Sequence, residues 1–256
     1  MEVHHHSHTS DPDSHRGRKK WTHYFWEFLV LFLAVFCGFL AEYQLEHTIE
    51  HGRERQYIQS MIEDVEKDTA SLDRIINYHA VIMPGLDSLC LQCYKFENNY
   101  TDIKNLYAFY RKYGSKAEEF IEFNDRTLTQ LKNAGGMRLI RNKIAADSIT
   151  LYDNRIKKIK SYEGIYGDVN ANSFYLSLKL FNRFYYRTET TNSAISPADG
   201  STNIALVNND RKMIIEYGNT VESLKKVLTG YVILLKQTRS QASNLIQTLK
   251  KEYNLE

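Results

Sequence analysis

Two short strings carry residue types that can do chemistry. The first, His47-Thr48-Ile49-Glu50-His51, matches the H-x-x-E-H pattern of inverted zinc peptidases. Residues four apart share a helix face, so His47 and His51 could offer two imidazoles to one zinc ion, with Glu50 as base. A working site also needs a third ligand and a pocket, and no third ligand is marked out downstream. The plainer reading is the polar root of a helical stalk. The second string, Cys90-Leu91-Gln92-Cys93, has the C-x-x-C spacing of a redox pair or a local disulfide. Thioredoxin-like activity needs a βαβ setting that the flanking pattern lacks, and no His follows Cys93 for haem attachment. A structural disulfide in an oxidising compartment and two buried, reduced thiols both stay open.

Two further features have plain structural readings. The aromatic run "FYLSLKLFNRFYYR", residues 174–187, could line a ligand pocket, but aromatics at helical spacing more often build a core or an interface. His79 falls on a helical seam, where a satisfied interior polar residue is expected. The chain has no Gly-rich phosphate loop, nucleophile elbow or kinase set. Gly135-Gly136 is a helix stop without the Lys-Ser/Thr of a P-loop. The catalytic set is therefore empty, and no cofactor is implied.

The elements that position these residues follow from composition and period. With only 3 Pro and 12 Gly in 256 residues, long helices are favoured over turn-rich β structure. A formal net charge of +2, with no basic stripe interleaved with aromatics, gives no case for nucleic acid. The 18 tyrosines, apolar in body with one wet end, suit helical assemblies with half-exposed seams.

Residues 28–41, "FLVLFLAVFCGFLA", hold no charged group, and the stretch 21–43 reaches the roughly 20 helical residues that cross about 30 Å of hydrocarbon. Trp21, Tyr24 and Trp26 form an aromatic belt at one end, and Phe28, Leu29, Leu31, Phe32, Leu33, Phe36, Phe39 and Leu40 supply the lipid-facing surface. A cleaved signal peptide is disfavoured because "VFCGFLAEY" offers no A-x-A site, and the bulky Phe36 before Cys37 speaks against a lipoprotein. Arg16, Arg18, Lys19 and Lys20 precede the span, whereas Glu42, Glu46, Glu50 and Glu54 follow it. The positive-inside rule then predicts a cytoplasmic N-terminus and a periplasmic remainder on a single-pass protein of the bacterial inner membrane. Residues 1–20 read as a disordered basic, His-rich tail.

Beyond the span, residues 44–256 read as one extramembrane domain. Ile58, Ile62, Val65, Leu72 and Ile76 recur at alternating spacings of four and three until Pro84, and Val221, Leu224, Leu228, Leu235, Leu245 and Leu249 do so near the other end. Such stripes bury one seam against a partner helix. They predict stalk helices over 44–83 and 208–253 that pair antiparallel, with shorter helices inserted over 84–187 at the distal part. Within the insert, Thr101 is expected to cap one helix. Ser115 and Glu118 form a capping box for a second ending at Gly135-Gly136, and "GDVNAN" separates two more. Residues 188–203 read as a Ser/Thr-rich loop. The fold class is all-α: a transmembrane helix continuing into a coiled-coil-like stalk with a small helical bundle.

The block "KKWTHYFWEFLVLFLAVFCGFLAEYQLEH", followed by "TLTQLKNAGGMRLIRNKIAADSITLYD", resembles a group of single-span inner-membrane helical proteins of Bacteroidetes type, a domain of unknown function. The shared features are a basic N-terminus, one span, and an element matched here by Gly136, Leu139, Ile140 and Asn142. The resemblance implies inner-membrane placement and assigns no activity. Three functions compete: a scaffold binding a protein partner or a second copy, an envelope sensor acting through a membrane partner, and a zinc peptidase at the His47–His51 string.

Overall fold

A computed structural model of the chain describes residues 19–133, 135–183 and 204–255. The tail up to residue 18 and the Ser/Thr-rich stretch 188–203 lie outside these. Every regular element among the described residues is helical: α1 (Lys19–Tyr94), α2 (Tyr100–Lys112), α3 (Arg126–Asn133), α4 (Lys143–Leu180) and α5 (Arg211–Glu252), with 3₁₀ turns at Gly114–Lys116 and Gly136–Leu139. The chain divides into two compact units, residues 1–54 and 55–256.

In the first unit the described backbone is the N-terminal part of α1. Its apolar side chains find no cover: of the expected anchor residues only Leu29 is half-buried, and the rest are exposed.

The second unit is built around α4, α5 and the part of α1 from residue 55. Hydrogen bonds and ion pairs join α1 to α5 in reverse sequence order. They run from Tyr94–Asn219 (2.9 Å) through Asp87–Lys225 (2.6 Å) and Asp73–Arg239 (3.0 Å) to Glu66–Lys250 (3.2 Å). Helix α4 meets α5 in the same sense, with Asn142–Glu252 at 2.7 Å, Arg155–Gln237 at 3.1 Å and the Tyr162 hydroxyl donating to the Val227 carbonyl at 3.1 Å. The α5 seam named from the sequence, Val221 to Leu249, is wholly buried. On α1 the buried face is Ile58, Ile62, Val65, Leu72, Ile75, Ile82, Leu86 and Leu89. Ile76, expected on the seam, is only half-buried; Ile75 takes the interior position.

Four expectations give way here. The stalk helix does not stop at 83: α1 passes through Pro84 to Tyr94. Proline removes one backbone bond and crowds the preceding turn, at about 3 kcal/mol. Burying Leu86 and Leu89 beyond it recovers about 1.5–3 kcal/mol each, so the helix survives. The break expected at "GDVNAN" is also absent, because α4 is a single 38-residue helix. Consequently residues 84–187 are not only a small distal insert, since α4 lies along α5 as a third long member.

The predicted capping-box helix from Ser115 does not form. Ser115 donates instead to the Arg111 carbonyl (2.9 Å), and the Glu118 carboxylate accepts from the Asn170 amide (2.7 Å). Residues 117–125 form an irregular strap ahead of α3. Finally, α2 is capped by Asn99, whose side chain accepts from the Asp102 amide (2.9 Å), rather than by Thr101.

Candidate functional site

The strap presents its peptide groups to the long helices, and side chains from all three hold them. From α1, the Tyr78 hydroxyl donates to the Lys116 carbonyl (2.6 Å) just ahead of it, and His79 Nε2 lies 2.9 Å from the Glu119 carbonyl. From α4, the Tyr166 hydroxyl donates to the Ala117 carbonyl. From α5, the Tyr231 hydroxyl accepts from the Ile121 amide at 3.3 Å and donates to Glu163 at 2.7 Å. Irregular backbone inside a protein must find partners for its N–H and C=O groups, and here tyrosines and a histidine supply them.

Two interior aspartates finish the fastening. Asp68, 1% exposed, accepts from the Asn124 backbone amide (2.7 Å), the Asn124 side chain (2.9 Å) and the Tyr152 hydroxyl (2.7 Å). Asp64 accepts from both the amide (3.1 Å) and the hydroxyl (2.6 Å) of Thr127 at the start of α3. Burial pushes the Tyr152, Tyr166 and Tyr231 phenols well above their ordinary range, and the adjoining carboxylates push the same way. These hydroxyls stay protonated donors at any physiological pH.

The rings around this fastening form one cluster. Tyr166 and Tyr231 stack at 5.8 Å, Tyr162 stacks on Tyr231 at 6.4 Å, and Phe120 from the strap meets Tyr166 edge-on at 5.4 Å. A second cluster gathers Tyr107, Tyr110, Phe181 and Tyr217. There Tyr110 stacks on Phe181 at 4.3 Å and Phe181 meets Tyr217 edge-on at 5.6 Å. Phe181 comes from the run read as pocket or core, and it is 1% exposed. The described part of that run therefore contributes to the interior, although Phe174 and Tyr175 remain exposed.

The strings singled out for chemistry lie elsewhere. His47 and His51 sit one turn apart with ring centroids 4.7 Å from each other, and His51 Nδ1 is 3.5 Å from a Glu54 carboxylate oxygen. Among the described residues no group of three or more His, Cys, Asp or Glu side chains is disposed to hold a metal ion. Cys90 and Cys93 are free and buried; the Cys90 thiol donates to the Gly218 carbonyl of α5 at 3.6 Å, and Cys93 packs on Gly218 itself. Burial raises the Cys90 thiol to about 12 and the Cys93 thiol also upward. Thiols held so far from ionisation are poor nucleophiles.

The element Gly136, Leu139, Ile140, Asn142 is a join between helices. Gly135 takes φ 64°, Gly136 packs so closely on Leu131 that an added Cβ would lie 3.2 Å from its Cα, and Ile140 is buried. Asn142 then caps α4, accepting from the Ala145 amide at 3.1 Å while bonding Glu252.

In the first unit one feature stands out. The helix is long and apolar enough to cross a membrane, and none of the residues in its most apolar window is buried. His23 and Glu27 pair at 3.1 Å, one turn apart, so the acid at the N-terminal border of the apolar run has a partner on its own helix. No family model, no curated protein and no solved structure matches the chain.

Proposed function

We propose that the chain is a non-enzymatic helical interaction protein, anchored by residues 21–43 in a bacterial inner membrane, with the N-terminal tail in the cytoplasm and residues 44–256 on the periplasmic face. The observation that carries this reading is the bare apolar surface of the first unit. Left in water, each Phe, Leu or Val there would forgo about 1.5–3 kcal/mol of burial. Lipid is the cover that a single helix of this length fits. The cations before the run and the acids after it support the orientation.

The finer reading, a coiled-coil-like stalk in which α1 and α5 run antiparallel, is supported by the reversed order of their four polar pairs and by the buried seam on each. The resemblance to single-span Bacteroidetes-type proteins agrees with the anchored reading. An interaction role is supported by surface that the second unit leaves uncovered. Ile144, Leu151 and Ile165 recur every seven or fourteen residues on α4, and each is more than half exposed. The high thiol pKa values speak against a nucleophilic role for Cys90 and Cys93.

A second reading, a sensor acting through a membrane partner, is favoured by a groove of about 420 Å³ that includes Ile76, Met83, Val232 and Ile233. That volume falls in the range of small-molecule sites. Photo-crosslinking in intact membranes tests the interaction reading, with the reactive residue placed at Leu151 or at Ile233. The expected result is one discrete adduct, either of doubled mass or with a single neighbour. A monomer that reacts with nothing but lipid at both positions would count decisively against it.

A further inference from the structure

We propose that His79 makes the strap at residues 117–125 a proton-sensitive clasp: charging this one imidazole loosens the strap from the long helices. His79 is 0% exposed. Its Nε2 faces the Glu119 carbonyl, which can only accept, so Nε2 carries the hydrogen and donates. Nδ1 is then the bare acceptor nitrogen, and it is buried with no hydrogen-bond partner among the described residues. A proton added there creates an interior cation and an interior N–H with no acceptor, which is costly in a dry site.

The surroundings offer that cation little. On α1, Tyr78 meets the ring edge-on at 5.4 Å, and Arg74, five residues before, is itself cationic. On α5, Tyr231 meets it edge-on at 5.8 Å. On α4, Tyr166 and Glu163 lie behind Tyr231, and the Glu163 carboxylate is engaged by the Tyr231 hydroxyl. From the strap, the Glu119 carboxylate is taken by Arg74 at 2.9 Å. Burial holds the imidazole below its ordinary range, against the smaller upward pulls of the Glu119 carbonyl and carboxylate.

The direction follows from linkage. A histidine whose folded pKa lies under the unfolded 6.5 lends full stability above that pH and loses it as pH falls through the folded value. Glu163 acts oppositely. Burial raises its carboxyl above 4.5, so its protonation on acidification favours the folded form and dampens the response at the acid end. The strap is the part that yields because side chains, rather than a helical ladder, hold much of its backbone. Elements with the least bonding of their own open first.

Hydrogen exchange read by mass spectrometry on the full chain in lipid nanodiscs, between pH 7.5 and 5.5 and corrected for intrinsic rates, provides the test. One proton predicts that protection of peptides covering 117–125 falls below pH 6.5 by up to about tenfold per pH unit, with the 221–245 stretch of α5 unchanged. His79→Gln keeps a donor for the Glu119 carbonyl but cannot titrate, and its strap protection is expected to stay flat with pH. Strap protection in the native sequence that is constant from pH 7.5 to 5.5, or an equal fall in H79Q, overturns the proposal. Should H79Q fail to fold, the imidazole resonance of His79 in the unsubstituted chain decides. A midpoint below 6.5 that tracks strap exchange supports the clasp, and one at or above 6.5 overturns it.

Discussion

Asp68 shows how much one interior carboxylate organises. Its two oxygens take three neutral donors, two from the strap and one from α4. Removing it leaves the Tyr152 hydroxyl and the Asn124 amide without an acceptor, at about 1–3 kcal/mol per buried group. Asp68→Ala is therefore expected to lower stability by about 3 kcal/mol and Tyr152→Phe by about 1 kcal/mol, read from thermal unfolding followed by circular dichroism. A loss below about 0.5 kcal/mol for Asp68→Ala would show that the strap does not need this fastening. None of this was legible locally. Asp64 and Asp68 sit on the interior face of α1, one turn apart, yet nothing in the sequence marks them as interior. Their partners lie 56 to 84 residues away, and no periodicity reports such a pairing. The string that did look chemical, His47 to His51, owes its pattern to a polar helix rich in Glu and His.

At the scale of elements, period was a good guide and punctuation a poor one. Every residue named on the α5 stripe is buried, because apolar side chains repeating every 3.5 residues fall on one helix face. Pro84 and the "GDVNAN" stretch that opens at Gly167 were read as interruptions, but the interior residues on either side outweigh them. Leu86 and Leu89 continue α1, and Tyr166, Ser177 and Leu180 continue α4. The helical glycines then divide into two kinds. An added Cβ at Gly164 or Gly167 meets nothing within 4 Å, whereas at Gly218 it would lie 2.9 Å from the Cys93 Cβ. Gly164→Ala and Gly167→Ala should each stabilise by about 0.5–1 kcal/mol through helix propensity. Gly218→Ala should destabilise by about 1–3 kcal/mol through overpacking of α5 on α1. The same thermal melts check both, and a Gly218→Ala protein as stable as the parent would mean that α1 and α5 are not tightly apposed there.

At the scale of the whole molecule, the chain places a bare apolar surface and a well-satisfied helical core in separate units. The first was fully legible, since 14 uncharged residues flanked by aromatics need no tertiary context to be recognised. The all-helical core was legible as a class, but its third long member was not, because α4 looked like two short helices around a polar join. The anchor is the claim on which the functional reading rests, and one measurement reaches it most directly. The full chain carrying Cys37→Ser and an exposed Lys226→Cys is made in a bacterial inner membrane, washed with alkaline carbonate, and labelled in spheroplasts with a membrane-impermeant maleimide. The account predicts that the protein stays in the carbonate-washed pellet and that Lys226→Cys is labelled from outside the spheroplast. Release into the carbonate supernatant, or labelling only after the membrane is broken, would contradict it.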